Sequence, residues 1–325
     1  VFATILTTLG DWPSLLLGLV VLLFSGDALV RGAVNLALRL GIPALVVGLT
    51  VVAFGTSAPE LIVSVNAARA GQPGIAVGNV VGSNIVNILL ILGLPLFIAT
   101  LRSSEIDTRR SYVVMLLATI GFAALAFTGP LTWWHGLILL GGLALMLWDN
   151  YRLAMAHRQA GADVDSADPS IGWAGIILFI LAGLLGLAIG ARLLVDSAVN
   201  IATAWGVSET VIGLTLVAIG TAMPELVTAI IAAMRGHTGV AMGNVIGSNT
   251  FNILGILGVT ALVARVPVDP QILRFDNPVM IAASLLLLPF VFGRKDMGRG
   301  TGLVFVALYA LYATWLVVSG SGEGT

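Results

Sequence analysis

Two glutamates, each directly after a proline and each set in a long apolar run, carry the most distinctive chemistry of this 325-residue chain. They stand in Gly55-Thr56-Ser57-Ala58-Pro59-Glu60 and in Gly220-Thr221-Ala222-Met223-Pro224-Glu225. Each is followed by a run rich in amides and hydroxyls, Gly78-Asn79-Val80-Val81-Gly82-Ser83-Asn84-Ile85-Val86-Asn87 and Gly243-Asn244-Val245-Ile246-Gly247-Ser248-Asn249-Thr250-Phe251-Asn252. A carboxylate at the centre of a bilayer costs about 3 kcal/mol or more, so Glu60 and Glu225 read as ion-binding residues. A salt-bridge role fits less well, because neither segment holds a lysine or arginine. Pro59 and Pro224 donate no amide hydrogen, which leaves the carbonyls of Gly55 and Gly220 without helical partners and available to a cation. Ser83 and Asn87 lie one helical turn apart and can face one ion, as can Ser248 and Asn252. Asn79, Asn84, Asn244 and Asn249 fit either ligation or helix–helix hydrogen bonding. Gly78, Gly82, Gly243 and Gly247 read as positions of close helix approach rather than as ligands. Every candidate donor is an oxygen, which selects hard cations, and calcium accepts about six to eight of them in flexible geometry. Two glutamates can neutralise one calcium or a pair of sodium ions. Rival ions competing for one set of charges, with a costly empty crossing, is what antiport requires.

Both motifs belong to a repeat. Residues Gly41 to Gly93 return as Gly206 to Gly258 at an offset of 165, with about 29 identities over 53 ungapped positions. The chain is 58% hydrophobic and 10% charged, with a mean hydropathy of +1.05, where a soluble domain carries roughly 25% charged residues. It is an integral membrane protein by composition. At about 20 apolar residues per crossing, about ten windows qualify. They lie near 12–36, 43–69, 75–100, 109–128, 132–154, 171–202, 208–234, 239–264, 277–292 and 300–319. Continuous rather than alternating apolarity makes them helices, not barrel strands. The residues up to about Val20 lack a basic leader and a clear cleavage site, and read as leading into the first span.

Five spans per repeat is an odd number, so the second half enters from the opposite side and the repeats are inverted. Residues 1–155 form the N-terminal half, 156–170 a cytoplasmic linker, and 171–325 the C-terminal half. With the N-terminus outside, Arg39, Arg102, Arg109, Arg110, Arg152, Arg158, Arg235, Arg294, Lys295 and Arg299 face the cytoplasm, against Arg69, Arg265 and Arg274 outside. That asymmetry places both termini outside the cytoplasm. Arg31 and Arg192 fall inside spans and have helical partners in Asp27 and Asp196.

A net charge of −1 argues against nucleic acid. With no cysteine, thiol and iron–sulfur chemistry are excluded. His135, His157 and His237 sit at window ends, which disfavours a buried histidine metal site. Asp163, Asp165 and Asp168 of the linker lack the glycine and distal glutamate of an EF-hand loop. No histidine or lysine inside a span could activate a serine, so an intramembrane protease is disfavoured and the chain is not expected to be an enzyme. Nothing calls for a resident cofactor or an obligate protein partner; the expected partners are the lipid bilayer and the transported ions.

The paired motifs resemble the alpha repeats of the cation/calcium exchanger superfamily, with the closest look to prokaryotic sodium/calcium exchangers. The resemblance covers nearly the whole chain. It implies an all-α fold of ten transmembrane helices in two inverted five-helix halves, with helices 2, 3, 7 and 8 broken around a central site. It also implies that Glu60 and Glu225 chelate calcium, that Ala53, Thr56, Ala218 and Thr221 give backbone oxygens, and that Ser57, Ser83, Ser248, Asn87 and Asn252 help form sodium positions. Helices 1 and 6 would slide across the rest to alternate access. Two departures stand out. Ala222 lacks the hydroxyl of its counterpart Ser57, and amides occupy both 87 and 252, where some relatives carry an aspartate. The expected function is an inner-membrane antiporter exchanging sodium for calcium; a proton/calcium or other divalent cation exchanger is the alternative, and a channel would differ in needing no counter-ion.

Overall fold

Glycine ends the first membrane-spanning helix, and the same device recurs one repeat later. Helix α1, Asp11–Leu40, stops at Gly41, whose φ of 66° lets its N–H reach back to Ala37 and Leu38. Its counterpart Gly206 adopts φ 77°, and a second matched pair, Gly71 and Gly236, adopts 76° and 73°. The computed structural model describes residues 10–159, 171–206 and 218–322. Helix α2 is a bent pair, Ala44–Thr56 and Ala58–Arg69. Then come α3 (Pro73–Phe97), α4 (Arg109–Ala126), α5 (Trp133–Gln159) and α6 (Trp173–Ala204). Helix α7 comprises Ala218–Thr221 and Met223–Met234, followed by α8 (Thr238–Val263), α9 (Ile272–Val291) and α10 (Arg299–Gly322).

Eight of these helices are individually long and apolar enough to cross a bilayer, and the bent α2 makes a ninth. The remaining expected span, 208–234, is described only from Ala218 onward. Among the described residues no β-strand forms beyond isolated bridges, Leu101 with Met297 and Leu131 with Val266. The chain is thus an all-α, multi-pass membrane protein whose five-helix halves are inverted repeats. Helix α5 continues to Gln159, so the first residues of the expected linker are helical; His157 and Arg158 in the last turn complement the carbonyl end of the helix dipole. The rest of the linker, including Asp163, Asp165 and Asp168, lies outside the described residues.

Helices α3 and α8 are the most enclosed spans, 83% and 89% buried over their apolar windows, which puts the polar motifs at the centre of the bundle. By contrast α1 and α6 lie against each other along a seam of glycines. A Cβ at Gly18 would stand 2.7 Å from the Leu194 nitrogen, and one at Gly183 would stand 2.7 Å from the Leu29 nitrogen. Both expected helical ion pairs form, Asp27 with Arg31 at 2.8 Å and Asp196 with Arg192 at 3.7 Å. Asp27 has a second partner that the sequence did not suggest, Arg235 just past the end of α7, so this pair also ties α1 to α7.

Candidate cation site

Ser57 and Ala222 occupy the same backbone conformation, φ −85° and ψ 3° against −88° and 4°, between two helical pieces. Pro59 and Pro224 then sit in the first turn of the resuming helix, where a missing N–H does least harm. The α2 pieces meet at 44°. The interruption places Glu60 and Glu225 in the first turn of the second pieces, both 2% exposed. In α3 and α8 the interruption takes another form: each widens into a π-helical turn, Asn87–Ile91 and Asn252–Ile256, starting at the two asparagines read as ligands. Such turns loosen the regular ladder and recur at functional sites.

Each glutamate is held through its backbone by the neighbouring helix. The Asn79 amide donates to the Glu60 carbonyl (3.3 Å) and to Ser64 Oγ (2.9 Å), and the Asn244 amide donates to the Glu225 carbonyl (3.4 Å). Asn79, Ser83 and Asn87 follow at one-turn intervals along α3, as do Asn244, Ser248 and Asn252 along α8. The serines therefore stand between the glutamate anchor and the π turn. Across the halves, Ser57 donates to Glu225 Oε1 (3.1 Å) and Thr56 to Asn244 Oδ1 (3.2 Å), the Thr56 hydrogen being shared with the Ala53 carbonyl of its own helix (3.4 Å).

The predicted residues thus converge. Glu60, Glu225, Asn87, Asn252, Ser57, Ser83, Ser248, Thr56 and Ala53 are all buried around the junction of α2, α3, α7 and α8, and Thr221 is partly buried. Ala218 opens the first piece of α7, and nothing further is described of its side chain. Among the described residues no cluster of three or more His, Asp or Glu side chains could hold a metal, so the anionic charge here comes from the two glutamates and the remaining donors are neutral. Glu60 Oε2, Glu225 Oε2, Ser248 Oγ and Asn252 Oδ1 are buried without a hydrogen-bond partner among the described residues. Buried acceptors in that state are costly, and a cation is the species that satisfies several at once.

Asn84 and Asn249, which sequence reasoning left open, exchange hydrogen bonds with each other across the pseudo-twofold relation between the halves. Of the four glycines, Gly243 and Gly247 behave as anticipated: a Cβ on either would stand 2.7 Å from a carbonyl oxygen of α2, Leu45 or Leu49. A Cβ on Gly78 or Gly82 meets nothing within 4 Å among the described residues, so the close approach expected there is not seen.

Known proteins resemble this chain over nearly its whole length. The profile of a family described as sodium/calcium exchanger protein matches residues 11–151 and 175–318. An inner membrane protein of Escherichia coli is 36% identical over 317 residues, covering 94% of this chain and 95% of that one. The sodium/calcium exchanger MaX1 of Methanosarcina acetivorans is 34% identical over 337 residues, 92% of this chain and 96% of its own. Among solved structures, the sodium-calcium exchanger NCX_Mj soaked with zero Na+ and Ca2+ superposes with a TM-score of 0.82 at 35% identity, over 94% of this chain and 98% of that one.

Proposed function

This chain belongs to the sodium/calcium exchanger family, and from that premise we propose that it is an antiporter exchanging sodium for calcium across the inner membrane, with both termini outside the cytoplasm. The observation that carries the reading is the set of buried oxygens on Glu60, Glu225, Ser248 and Asn252, at the meeting of the two repeats, that have no hydrogen-bond partner among the described residues. Glu60 and Glu225 chelate calcium. Asn87 and Asn252 contribute amide oxygens, Ser57, Ser83 and Ser248 hydroxyls, and Ala53, Thr56, Ala218 and Thr221 backbone carbonyls. The Ala53 carbonyl accepts from Ser57 N–H and lies 3.4 Å from the Thr56 hydroxyl, so it can serve an ion once Thr56 gives its hydrogen to Asn244 alone.

Exchange follows from charge. Two carboxylates in a low-dielectric site are satisfied by one calcium or by sodium ions of equal total charge, and crossing with neither exposes the full desolvation cost of both. The glycine seam between α1 and α6 gives two long helices a smooth mutual surface, suited to sliding past the site as access alternates.

In proteoliposomes holding the purified chain, an outward sodium gradient should drive uptake of radiolabelled calcium. Uptake that follows a proton gradient alone would transfer the site to proton coupling, and flux needing no counter-ion would make it a channel.

A further inference from the structure

Backbone carbonyls only accept hydrogen bonds, and two of them fix the direction of four side-chain amides where α3 meets α8. Asn84 Nδ2 donates to the Asn249 carbonyl at 3.1 Å, and Asn249 Nδ2 donates to the Asn84 carbonyl at 3.3 Å. Their nitrogens being committed, both side chains turn Oδ1, an acceptor only, to their other partners. Asn252 must then offer Nδ2 to Asn84 Oδ1 (3.1 Å), and Asn87 must offer Nδ2 to Asn249 Oδ1 (2.9 Å). Turning any one amide over would set hydrogen against hydrogen or oxygen against oxygen. The result is that Asn87 and Asn252 spend their nitrogens on the quartet, and the oxygen of each is directed away from it. Asn252 Oδ1 is left buried without a partner among the described residues.

We infer that Asn84 and Asn249 are positioning residues for ion exchange, acting through Asn252 and Asn87, whose oxygens rather than N–H groups they turn toward the cation. This rests on the reading of Asn87 and Asn252 as ligands. It also gives a reason for the amides at both positions in this chain. A carboxylate at 252 would set an oxygen against Asn84 Oδ1, and one at 87 would meet Asn249 Oδ1 in the same way. Asparagine at 84 and 249 therefore selects a neutral donor at 252 and 87 and leaves the charge of the site to the glutamates.

The test is a pair of double-mutant cycles on the full chain in proteoliposomes, reading the half-saturating calcium concentration separately from the maximal rate of sodium-driven uptake. Asn84→Ala should raise half-saturation about 10- to 100-fold, the usual loss when an outer-shell partner of a metal site is removed, and Asn252→Ala, which removes the ligand itself, should raise it at least as much. The double variant should be no worse than the weaker single, because Asn84 acts only through Asn252. Asn249→Ala with Asn87→Ala should behave alike. A structural role would instead lower melting temperature and maximal rate while leaving half-saturation alone. That outcome, or factors that multiply in the double variant, overturns the inference. Should Asn84→Ala not fold, Asn84→Ser, too short to reach Asn252, takes its place in the same cycle. Unchanged half-saturation in Asn252→Ala and Asn87→Ala would remove the ligand assignment and the positioning role with it; a loss of uptake in Glu60→Gln alongside would leave the exchanger reading standing.

Discussion

Among the described residues, Glu60 and Glu225 each keep an oxygen without a hydrogen-bond partner, and this sets function against stability within single side chains. An uncompensated buried charge costs several kcal/mol, and a neutral isostere removes that cost. Glu60→Gln or Glu225→Gln should therefore abolish calcium uptake and, in buffer free of sodium and calcium, stabilise the protein by about 1–3 kcal/mol. The thermal melt should rise without ions and lose its upward shift on adding calcium; a variant that melts lower without ions would contradict the account. Ala222 poses the opposite case. Its counterpart Ser57 gives a hydrogen bond to Glu225, and Ala222 is buried at the same backbone conformation. Ala222→Ser should add a donor near Glu60 and a further oxygen for an ion, lowering the half-saturating sodium concentration about fivefold if it contributes roughly 1 kcal/mol. Sodium-dependence curves of calcium efflux would measure it, and an unchanged or raised value would count against the matched-site geometry. The burial of Glu60, Glu225, Ser83, Asn87 and their counterparts was legible because a polar group repeated at membrane depth has few explanations. The duties of Asn84 and Asn249 were not, because spacing says which residues face each other and nothing about which end of an amide points where.

At the level of helices, the break in α2 and the resumption in α7 were written in Pro59 and Pro224, whereas the π turns of α3 and α8 carry no proline or glycine signal at their first residue and emerge only from packing. The added partner of Asp27 escaped for a related reason: Arg235 reads as a cytoplasmic charge at a helix end, and only the folding of α7 against α1 brings it to Asp27. Close packing of α8 on the first piece of α2 depends on glycine. A Cβ at Gly247 would lie 2.7 Å from both the Leu49 carbonyl oxygen and the Ala53 Cβ, and backbone cannot give way as a side chain does. Gly247→Ala should cost about 1–3 kcal/mol through overpacking. Gly121, midway along α4, meets no atom within 4 Å at its Cβ position, so Gly121→Ala should instead gain about 0.5–1 kcal/mol from helix propensity. Melting in detergent with calcium present separates the two signs, and equal shifts would refute the packing contrast.

The molecule as a whole repeats one five-helix design upside down, and its orientation can be tested through the absence of cysteine from the sequence. Gln72 and Glu105 are exposed at opposite ends of α3, while His237, the repeat counterpart of Gln72, precedes α8, and Gln271 is exposed just before α9. If the halves are inverted, counterparts face opposite compartments. If the positive-inside excess fixes the orientation, Gln72 lies outside and His237 inside. Single Gln72→Cys and Gln271→Cys variants should react with a membrane-impermeant maleimide in intact cells. Glu105→Cys and His237→Cys should react only after permeabilisation. The complementary pattern would keep the inverted repeat and reverse the termini. Labelling of Gln72→Cys and His237→Cys from one side would mean parallel halves, and a site shared through a pseudo-twofold axis in the membrane plane could not then exist. The reciprocal bonds between Asn84 and Asn249 set a pseudo-twofold relation between α3 and α8, and the sidedness of the two loops tests whether its axis lies in the membrane plane.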